Sequence, residues 1–182
     1  MKNLDDTELV RLFKEEKTRE QSFTLIVKRY QEKIYWQIRR MVVTHEDADD
    51  VMQNVFIKAW NGLNTFREDA KLYTWLYRIA VNESLTHLEQ AKKRTSVSWE
   101  DAGPALEDKM QAEKGFDESK AVWKLQLAIQ QLPEKQRIVF NLRYFDEMSY
   151  EDMSHVLETS VGALKASYHH AVKKIEEYIL NH

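Results

Sequence analysis

Trp75, Arg78 and Asn82 combine the side-chain chemistry that holds an unstacked nucleobase. The indole is a stacking surface, the guanidinium can neutralise a backbone phosphate, and the amide can hydrogen-bond a base edge. Their spacing of i, i+3 and i+7 places these three side chains, called here the strand-reading set, on one side of a helix. The set indicates binding of single-stranded nucleic acid. The alternative is that Trp75, with Tyr73 and Tyr77 beside it, belongs to an ordinary hydrophobic core.

A second set of side chains recurs at helical spacing between residues 47 and 60. Asp50, Gln53, Asn54 and Ile57 fall at i, i+3, i+4 and i+7, opposite an apolar stripe, and are called here the docking strip. A solvated helix face has little use for an isoleucine between amides and an acid, so the strip is a candidate binding surface for another macromolecule. The alternative is an ordinary helix with one exposed isoleucine.

The last part of the chain contains a basic helix after a tight turn. Ser149-Tyr-Glu-Asp152 forms a variant capping box for a short helix, and Ser160 or Thr159 caps the next helix, called here the recognition helix. Between residues 163 and 175 this helix carries three lysines and no acid, which is typical of a helix-turn-helix that enters a DNA groove. An αα-hairpin without a ligand is the alternative. The side chains available to bases and phosphates are Lys165, Ser167, His169, His170 and Lys173.

Helices must position all three sets of side chains. Glycine (4) and proline (2) are scarce among the 182 residues, and apolar side chains recur at helical spacing, so the sequence predicts an all-α protein. The segment 63–70 is predicted to be a polar loop with Phe66 as an exposed aromatic, and Gly62 is predicted to stop the helix before it. The predicted helices cover residues 5–17, 22–43, 47–60, 72–85, 121–131, 133–144, 149–157 and a segment after residue 160.

Charge is segregated along the chain, although the formal net charge is only -3. The segment 71–94 is mainly basic, whereas 95–120 carries seven acids, lacks helical periodicity and contains Gly103, Pro104 and Gly115. The sequence therefore predicts two small helical domains, residues 1–94 and 121–182, joined by an acidic flexible linker at 95–120. At about 3.3 Å per residue the linker could span on the order of 80 Å, enough for contacts at two separated places on DNA.

The composition limits the other classes of function. The chain has no cysteine, which excludes disulfides, thiolate nucleophiles and cysteine-type zinc sites and fits a cytoplasmic location. No apolar run is long enough to span a bilayer and no basic-then-apolar leader follows Met1, so no membrane insertion is expected. The candidate metal ligands of a hydrolase lack the paired spacing of a zinc helix, so no enzyme activity, cofactor or metal is expected. These candidates are His45, Glu46, Asp47, Asp50, His169 and His170.

Taken in order, the motifs resemble those of a known family. The first half resembles region 2 of bacterial sigma factors of the extracytoplasmic-function (ECF) class at Asp47-Ala-Asp-Asp-Val-Met-Gln-Asn-Val-Phe-Ile-Lys-Ala-Trp60, Phe66-Arg67 and Thr74-Trp-Leu-Tyr-Arg-Ile-Ala-Val-Asn82. The second half resembles region 4 of the same class at Leu132-Pro-Glu-Lys-Gln-Arg137, Leu142-Arg-Tyr-Phe145, Ser149-Tyr-Glu-Asp152 and Ser160-Val-Gly162. The resemblance covers nearly the whole chain, with the linker where the family has one.

The resemblance implies a subunit that gives RNA polymerase its promoter specificity. The docking strip would bind the clamp helices of the polymerase β′ subunit, and the second domain would reach the β flap. Phe66 and Arg67 would join the strand-reading set in opening the promoter −10 element, with one base flipped into a pocket. The recognition helix would bind the −35 element of promoter DNA in the major groove. An anti-sigma factor would hold the protein inactive.

The recognition helix departs from the family pattern, which often has several arginines there. Lysine and neutral histidine cannot make the bidentate guanine contact of arginine, so we expect modest DNA affinity from the second domain alone. The remaining alternative is a free-standing helix-turn-helix regulator that binds DNA without polymerase. Such a regulator would have no need of the docking strip.

Overall fold

Helices make up both described parts of the chain. The computed structural model describes residues 4–95 and 120–181, and these residues contain eight α-helices, one 3₁₀ turn (Leu63–Thr65) and no strand, which confirms the all-α prediction. The predicted linker lies outside the described residues, apart from its two end positions. The α-helices are α1 (Asp6–Lys14), α2 (Arg19–Val42), α3 (His45–Gly62), α4 (Leu72–Thr95), α5 (Lys120–Gln130), α6 (Glu134–Tyr144), α7 (Tyr150–Leu157) and α8 (Val161–Asn181).

The first module consists of α1 to α4 packed around an apolar core. Asp5 caps α1, since its carboxylate accepts a hydrogen bond from the Glu8 backbone N–H over 2.8 Å. The hydroxyl of Ser22 donates to the backbone oxygen of Leu9 over 2.5 Å and ties α2 to α1. Burial of each large apolar side chain contributes about 1.5–3 kcal/mol, and this core holds α4 against α2 and α3. Its fully buried side chains include Phe13, Ile26, Ile34, Ile38, Val55 and Leu76.

Gly62 ends α3 without the left-handed conformation of a glycine cap. Its φ is -90°, so the chain continues through the right-handed 3₁₀ turn. The glycine instead provides space, because a Cβ atom at this position would lie 3.0 Å from Cζ2 of Trp75. The helix ends at Gly62 as predicted, but the expectation that this residue acts as a left-handed glycine cap is wrong. The residue lets Trp75 approach the end of α3.

The second module consists of α5 to α8, with the predicted helix-turn-helix at α7 and α8. Ser149 caps α7 by accepting from the Asp152 backbone N–H over 3.1 Å. Of the two caps considered for α8, Ser160 is the one that accepts from the Ala163 N–H, over 3.3 Å. Glu158 turns the chain between the helices in the left-handed conformation, with φ 50° and ψ 41°. This short connection sets the angle of α8 against α7.

The two modules are in direct contact. α7 packs on α4 and α6 packs on α2, so apolar side chains of both modules belong to one core cluster. Leu72 and Tyr77 of α4 are members of this cluster, as are Met153 and Val156 of α7. The recognition helix α8 packs on the other helices of its own module. The contact between modules therefore covers part of α4.

Candidate nucleic-acid interface

All four side chains of the docking strip are exposed on α3, as their spacing predicts. On the opposite face Val51 is 1% exposed and Val55 is 0% exposed, whereas Ile57 is 54% exposed. Lys58, next to Ile57, pairs with Glu83 of α4, which ties the strip's helix to its neighbour. The strip thus presents one apolar side chain among polar ones. Its binding to another protein stays a prediction.

The strand-reading set lies on one side of α4. Arg78 and Asn82 are exposed, and Trp75 is half-buried. The Trp75 ring packs on Phe66, with 5.1 Å between ring centroids and 43° between ring planes. Tyr77 is 3% exposed and is a core residue, as the alternative interpretation proposed for all three aromatics. The arginine and the amide therefore face solvent, while the tryptophan spans the boundary between core and surface.

Phe66 is buried, so the prediction of an exposed aromatic is wrong. Its side chain is 8% exposed and belongs to the core cluster. The 3₁₀ turn before it brings the loop back towards α1, where Lys14 Nζ donates to the Phe66 backbone oxygen over 3.3 Å. A loop has no periodicity to show which side chains point inward, and a phenyl ring gains free energy by leaving water. Arg67, the next residue, is exposed.

A cavity of about 400 Å³ opens beside these residues. Phe66 and Trp75 form its aromatic wall, and Arg67, Asp69 and Arg78 contribute charged groups. Ligand clefts in proteins have volumes of roughly 300–1,000 Å³. An aromatic wall beside guanidinium groups suits an extruded base with its phosphates. Asn82, the last member of the strand-reading set, lies one turn further along α4 and is not among the described residues that line the cavity.

Sequence reasoning missed several side chains that line this cavity, among them Thr65, Asp69, Thr74 and His155. Thr74 lies one turn before Arg78 on the same helix, so helical spacing could have found it. Thr65 and Asp69 flank the predicted loop residues but carry no periodic signal. His155 belongs to α7 of the second module and reaches the cavity only because the modules touch. No local sequence pattern predicts such a contact between distant segments.

The recognition helix α8 exposes most of its predicted DNA-binding side chains. Leu164 and Ala171 face the core and are 1% and 0% exposed. Ser167 lies between them on the same stripe and is half-buried, so it is less available than predicted. The Lys165 ammonium lies 5.7 Å from the ring centroid of Tyr150 at the start of α7. The exposed members of the set are Lys165, His169, His170 and Lys173.

Two carboxylates of the second module have shifted pKa values where they face the first module. Burial raises the pKa of Asp146 to about 6, although the nearby Arg40 guanidinium favours the charged form. Burial alone would also raise the pKa of Asp152, but hydrogen bonds from Tyr73 and Lys71 outweigh it and hold that pKa below its usual value. Asp152 is therefore fully ionised at neutral pH.

The described residues hold neither a metal cluster nor a membrane-spanning helix. Within residues 4–95 and 120–181, no three side chains of metal-ligand type lie close enough together to hold an ion. The adjacent rings of His169 and His170 are 6.0 Å apart, centroid to centroid. In the same two ranges, no helix has both the length and the apolar character needed to cross a bilayer.

Comparison with known proteins matches the two modules separately. The family model for sigma-70 region 2 matches residues 26–94, and that for sigma-70 region 4 matches residues 123–175. The chain is 37% identical over 164 residues to the RNA polymerase sigma-H factor of Pseudomonas aeruginosa, covering 86% of this chain and 85% of that protein. It is 32% identical over 181 residues to the ECF RNA polymerase sigma-E factor of Escherichia coli K12, covering 95% and 94%.

Solved structures share the fold. CnrH, in complex with the cytosolic domain of CnrY, superposes with a TM-score of 0.68 at 22% identity and covers 94% of each chain. The sigma factor RpoE, in complex with the anti-sigma factor NepR from Bartonella quintana, has a TM-score of 0.68 at 17% identity, covering 86% of this chain and 96% of that one. At these identities the likeness concerns the fold alone.

Two helical modules, one matching region 2 and the other matching region 4, define a sigma factor. The chain belongs to the sigma-70 family as an ECF sigma factor, and it is an alternative sigma factor that directs promoter-specific transcription initiation.

Proposed function

We propose that the first module binds core RNA polymerase through the docking strip and holds the single-stranded −10 element in the cavity beside α4. The observation that carries this proposal is the cavity itself, with its aromatic wall of Phe66 and Trp75 next to Arg67 and Arg78. In this proposal residues 1–94 form the polymerase and −10 domain, residues 121–182 form the −35 domain, and residues 95–120 link them.

The −10 element is opened by capture of an extruded base. The base enters the cavity and stacks on the aromatic wall, which contributes about 1–3 kcal/mol. Arg67 and Arg78, both exposed, neutralise the flanking phosphates. The Asp69 carboxylate accepts a hydrogen bond from an exocyclic amino group of the base. Asn82, one turn further along α4, contacts the neighbouring nucleotide.

The docking strip orients this cavity on the polymerase. Ile57, 54% exposed in the free chain, is buried against the clamp helices of the β′ subunit, and the strip's amides and acid surround it with hydrogen-bonding groups. Because Lys58 of α3 is paired with Glu83 of α4, docking of α3 also fixes the position of α4. Polymerase binding and strand capture are thus carried by adjacent helices.

The recognition helix adds the −35 contact. Lys165 and Lys173 neutralise phosphates, and His169 and His170 lie between them along the groove-facing side of α8. Two lysines give a small electrostatic contribution to DNA binding. Binding through the β flap and the linker makes this contact intramolecular, which raises its effective strength by roughly 10²–10⁴.

The remaining parts of the proposal concern the regulation of the protein and its location in the cell. We propose that an anti-sigma factor holds this chain inactive, which the RpoE–NepR complex supports by showing that a protein of the same fold binds such a partner. We further propose a cytoplasmic location, where polymerase and promoter DNA are found. The chain performs no catalysis of its own and acts by positioning DNA for the polymerase.

Run-off transcription tests the proposal. Purified core polymerase is given genomic promoter fragments with and without this chain, and single-stranded thymines are mapped with permanganate. We expect discrete start sites, with reactive thymines at the −10 element, only when the chain is present. If the chain binds core polymerase but yields neither discrete starts nor reactive thymines, the proposed −10 function is wrong.

A further inference from the structure

Helix α7 of the second module lies across the surface of α4 that carries Arg78. Arg78 Nη2 pairs with Glu158 Oε1 at 2.6 Å. Lys71 Nζ, just before α4, pairs with Asp152 Oδ2 at 3.1 Å. The hydroxyl of Tyr73 donates to the same Asp152 carboxylate. Two carboxylates of the helix-turn-helix thus engage two cations and a phenol of the first module.

The same helix borders the cavity. His155, which lies between the two carboxylates on α7, lines the cavity together with Phe66 and Trp75. A nucleotide in the cavity would therefore contact a side chain of the second module. The second module therefore contributes one side chain to the cavity lining and two carboxylates to the cations Lys71 and Arg78.

We infer that α7 is an internal competitor for the −10 strand: in the closed form, Asp152 and Glu158 occupy the cations that the phosphates of the strand require. Carboxylates and phosphates make the same kind of charge-assisted hydrogen bond with arginine and lysine, so one cation cannot fully serve both. The inference rests on the proposed function of α4. It assigns a second task to the helix-turn-helix, which holds the free protein in a form unable to capture single strands.

Two further ion pairs between the modules, among the residues that the structure describes, have the same polarity. Arg40 Nη1 lies 3.5 Å from Asp146 Oδ1, and Lys92 Nζ lies 3.4 Å from Glu134 Oε2. In each of these pairs, as in the two at α7, the cation belongs to the first module and the carboxylate to the second. The second module therefore supplies carboxylates to cations of the first module at several places along the contact. Carboxylates of the second module and phosphates of DNA are both attracted to cations of this kind, so the two compete.

The ion pairs at α7 add little to the closed form beyond the apolar cluster that Leu72 and Tyr77 form with Met153 and Val156. The Arg78 and Glu158 side chains are 45% and 71% exposed, and ion pairs this exposed are weak and screened by salt. Within the described residues, Asn141 and Asp146 also keep buried polar atoms without a protein partner, and opening would return those atoms to water. Polymerase that holds the two modules apart would thereby free Lys71 and Arg78 for DNA.

Fluorescence energy transfer between the modules measures closure. Because the chain has no cysteine, Glu20→Cys on α2 and Glu177→Cys on α8, both exposed, provide specific labelling sites. Glu158→Lys places a like charge opposite Arg78 and should open the contact. Glu151→Lys makes the same charge change at an exposed position of α7, the helix that Glu158 follows, and is the matched control. A labelled single-stranded DNA oligonucleotide with a randomised core serves as the binding probe.

We expect Glu158→Lys to lower energy transfer and to tighten binding of the single-stranded probe by about threefold to tenfold, the range expected when a weak ion pair becomes a repulsion. Glu151→Lys should change neither quantity. Glu158→Gln should give a smaller change of the same sign. It replaces Glu158→Lys as the test variant if circular dichroism shows that the lysine variant has lost its helices. The inference is overturned if Glu158→Lys opens the chain without tightening probe binding relative to Glu151→Lys, or if neither Glu158 variant opens it.

A parallel measurement separates this inference from the proposed function. Arg78→Ala is assayed for permanganate-reactive thymines in the complete holoenzyme. If melting requires Arg78 while Glu158→Lys leaves probe binding unchanged, only the competition by α7 is wrong. If melting does not require Arg78, the proposed function of this surface is wrong and the competition is overturned with it.

Discussion

The hydroxyl of Tyr77 in α4 donates to Oδ1 of Asp146, in the turn after α6, over 3.1 Å and so joins the two modules through a largely buried carboxylate. Burial raises the pKa of Asp146 to about 6. The pKa of Tyr77 is also raised, mainly by burial and secondly by the negative charge of Asp146, so its hydroxyl stays a donor at neutral pH. The closed contact therefore binds a proton at Asp146 more tightly than an open chain would.

We expect the contact between the modules to strengthen as the pH falls from about 6 towards about 4. An aspartate in water has an ordinary pKa of 3.8, whereas Asp146 in the contact has a pKa of about 6, so in this window the closed form holds more protons than the open form. By linkage the free energy of opening falls as the pH rises through the window and levels off above it. The full effect is on the order of 3 kcal/mol.

Asp146→Asn tests this expectation because the amide keeps an acceptor for Tyr77 but cannot titrate. The other charged groups facing Asp146 are Arg40 and Lys33 of α2, and both favour its ionised form. Energy transfer between labelled modules, followed from pH 7 downwards, should rise below about pH 6 in the parent chain and stay flat in the variant. An equal rise in the variant would assign the effect to other groups.

Ile57→Glu should weaken binding to core polymerase without unfolding the chain. Ile57 is 54% exposed, so the change costs little in the free protein, whereas loss of a central interface contact costs about 2 kcal/mol or more. Gln90→Glu, at an exposed position of α4, adds the same charge away from the docking strip. Titration of labelled variants with core polymerase gives the affinities. Equal affinities for the two variants would remove the docking strip from the interface.

Gly62→Ala and Gly162→Ala should have opposite effects. A Cβ at Gly62 would lie 3.0 Å from the Trp75 ring, and overpacking of this kind costs about 1–3 kcal/mol. A Cβ at Gly162 meets no atom of the described chain within 4 Å, and alanine in a helix is more stable than glycine by about 0.5–1 kcal/mol. Thermal unfolding measures both. Gly62→Ala should also reduce −10 melting, and stabilisation by both alanines would show that Trp75 can move aside without cost.

Arg67→Ala should reduce −10 melting while leaving stability unchanged, because the side chain is exposed. Phe66→Ala is a poorer test of the cavity, since Phe66 is 8% exposed and truncation of a core phenylalanine costs about 3–5 kcal/mol. Asn82→Ala should have a smaller effect than Arg67→Ala, because Asn82 lies beyond the cavity. Lys28→Ala on α2 controls for the loss of one exposed cation. Permanganate reactivity equal to that of the control would exclude Arg67 from strand binding.

The parts of the site that lie on one helix could be predicted from the sequence. Helical spacing alone separates the exposed Ile57 from the buried Val55 and places Arg78 and Asn82 on one face of α4. The spacing is sufficient because the period of a helix fixes which side chains share a face. Within the described residues, the same reasoning predicts the number and order of the helices, but it ends α4 at residue 85, whereas the helix continues to Thr95. The other errors are smaller and lie at helix ends, where capping decides between neighbouring residues.

The parts that depend on loops or on contacts between distant segments could not be predicted. Phe66 lies in a loop, where no period distinguishes an inward from an outward side chain. Arg78 and Glu158 are 80 residues apart in sequence, and their pairing follows from how α7 packs on α4. Gly62 resembles a helix cap in sequence because the need for space around Trp75 appears only in three dimensions. Each of these features is a long-range packing effect.

Lys165→Ala and Lys173→Ala should weaken binding of −35 duplex to a similar extent for all sequences. Both side chains are exposed on α8, and a lysine that neutralises one phosphate contributes about 0.9 to the slope of log affinity against log salt concentration. The lysine variants should each lower that slope by about this amount, whereas Lys17→Ala, an exposed lysine of the first module, should leave it unchanged. Titration of labelled duplex with holoenzyme at several salt concentrations gives the slopes. A lysine whose removal alters sequence preference but not the slope contacts a base edge and not a phosphate.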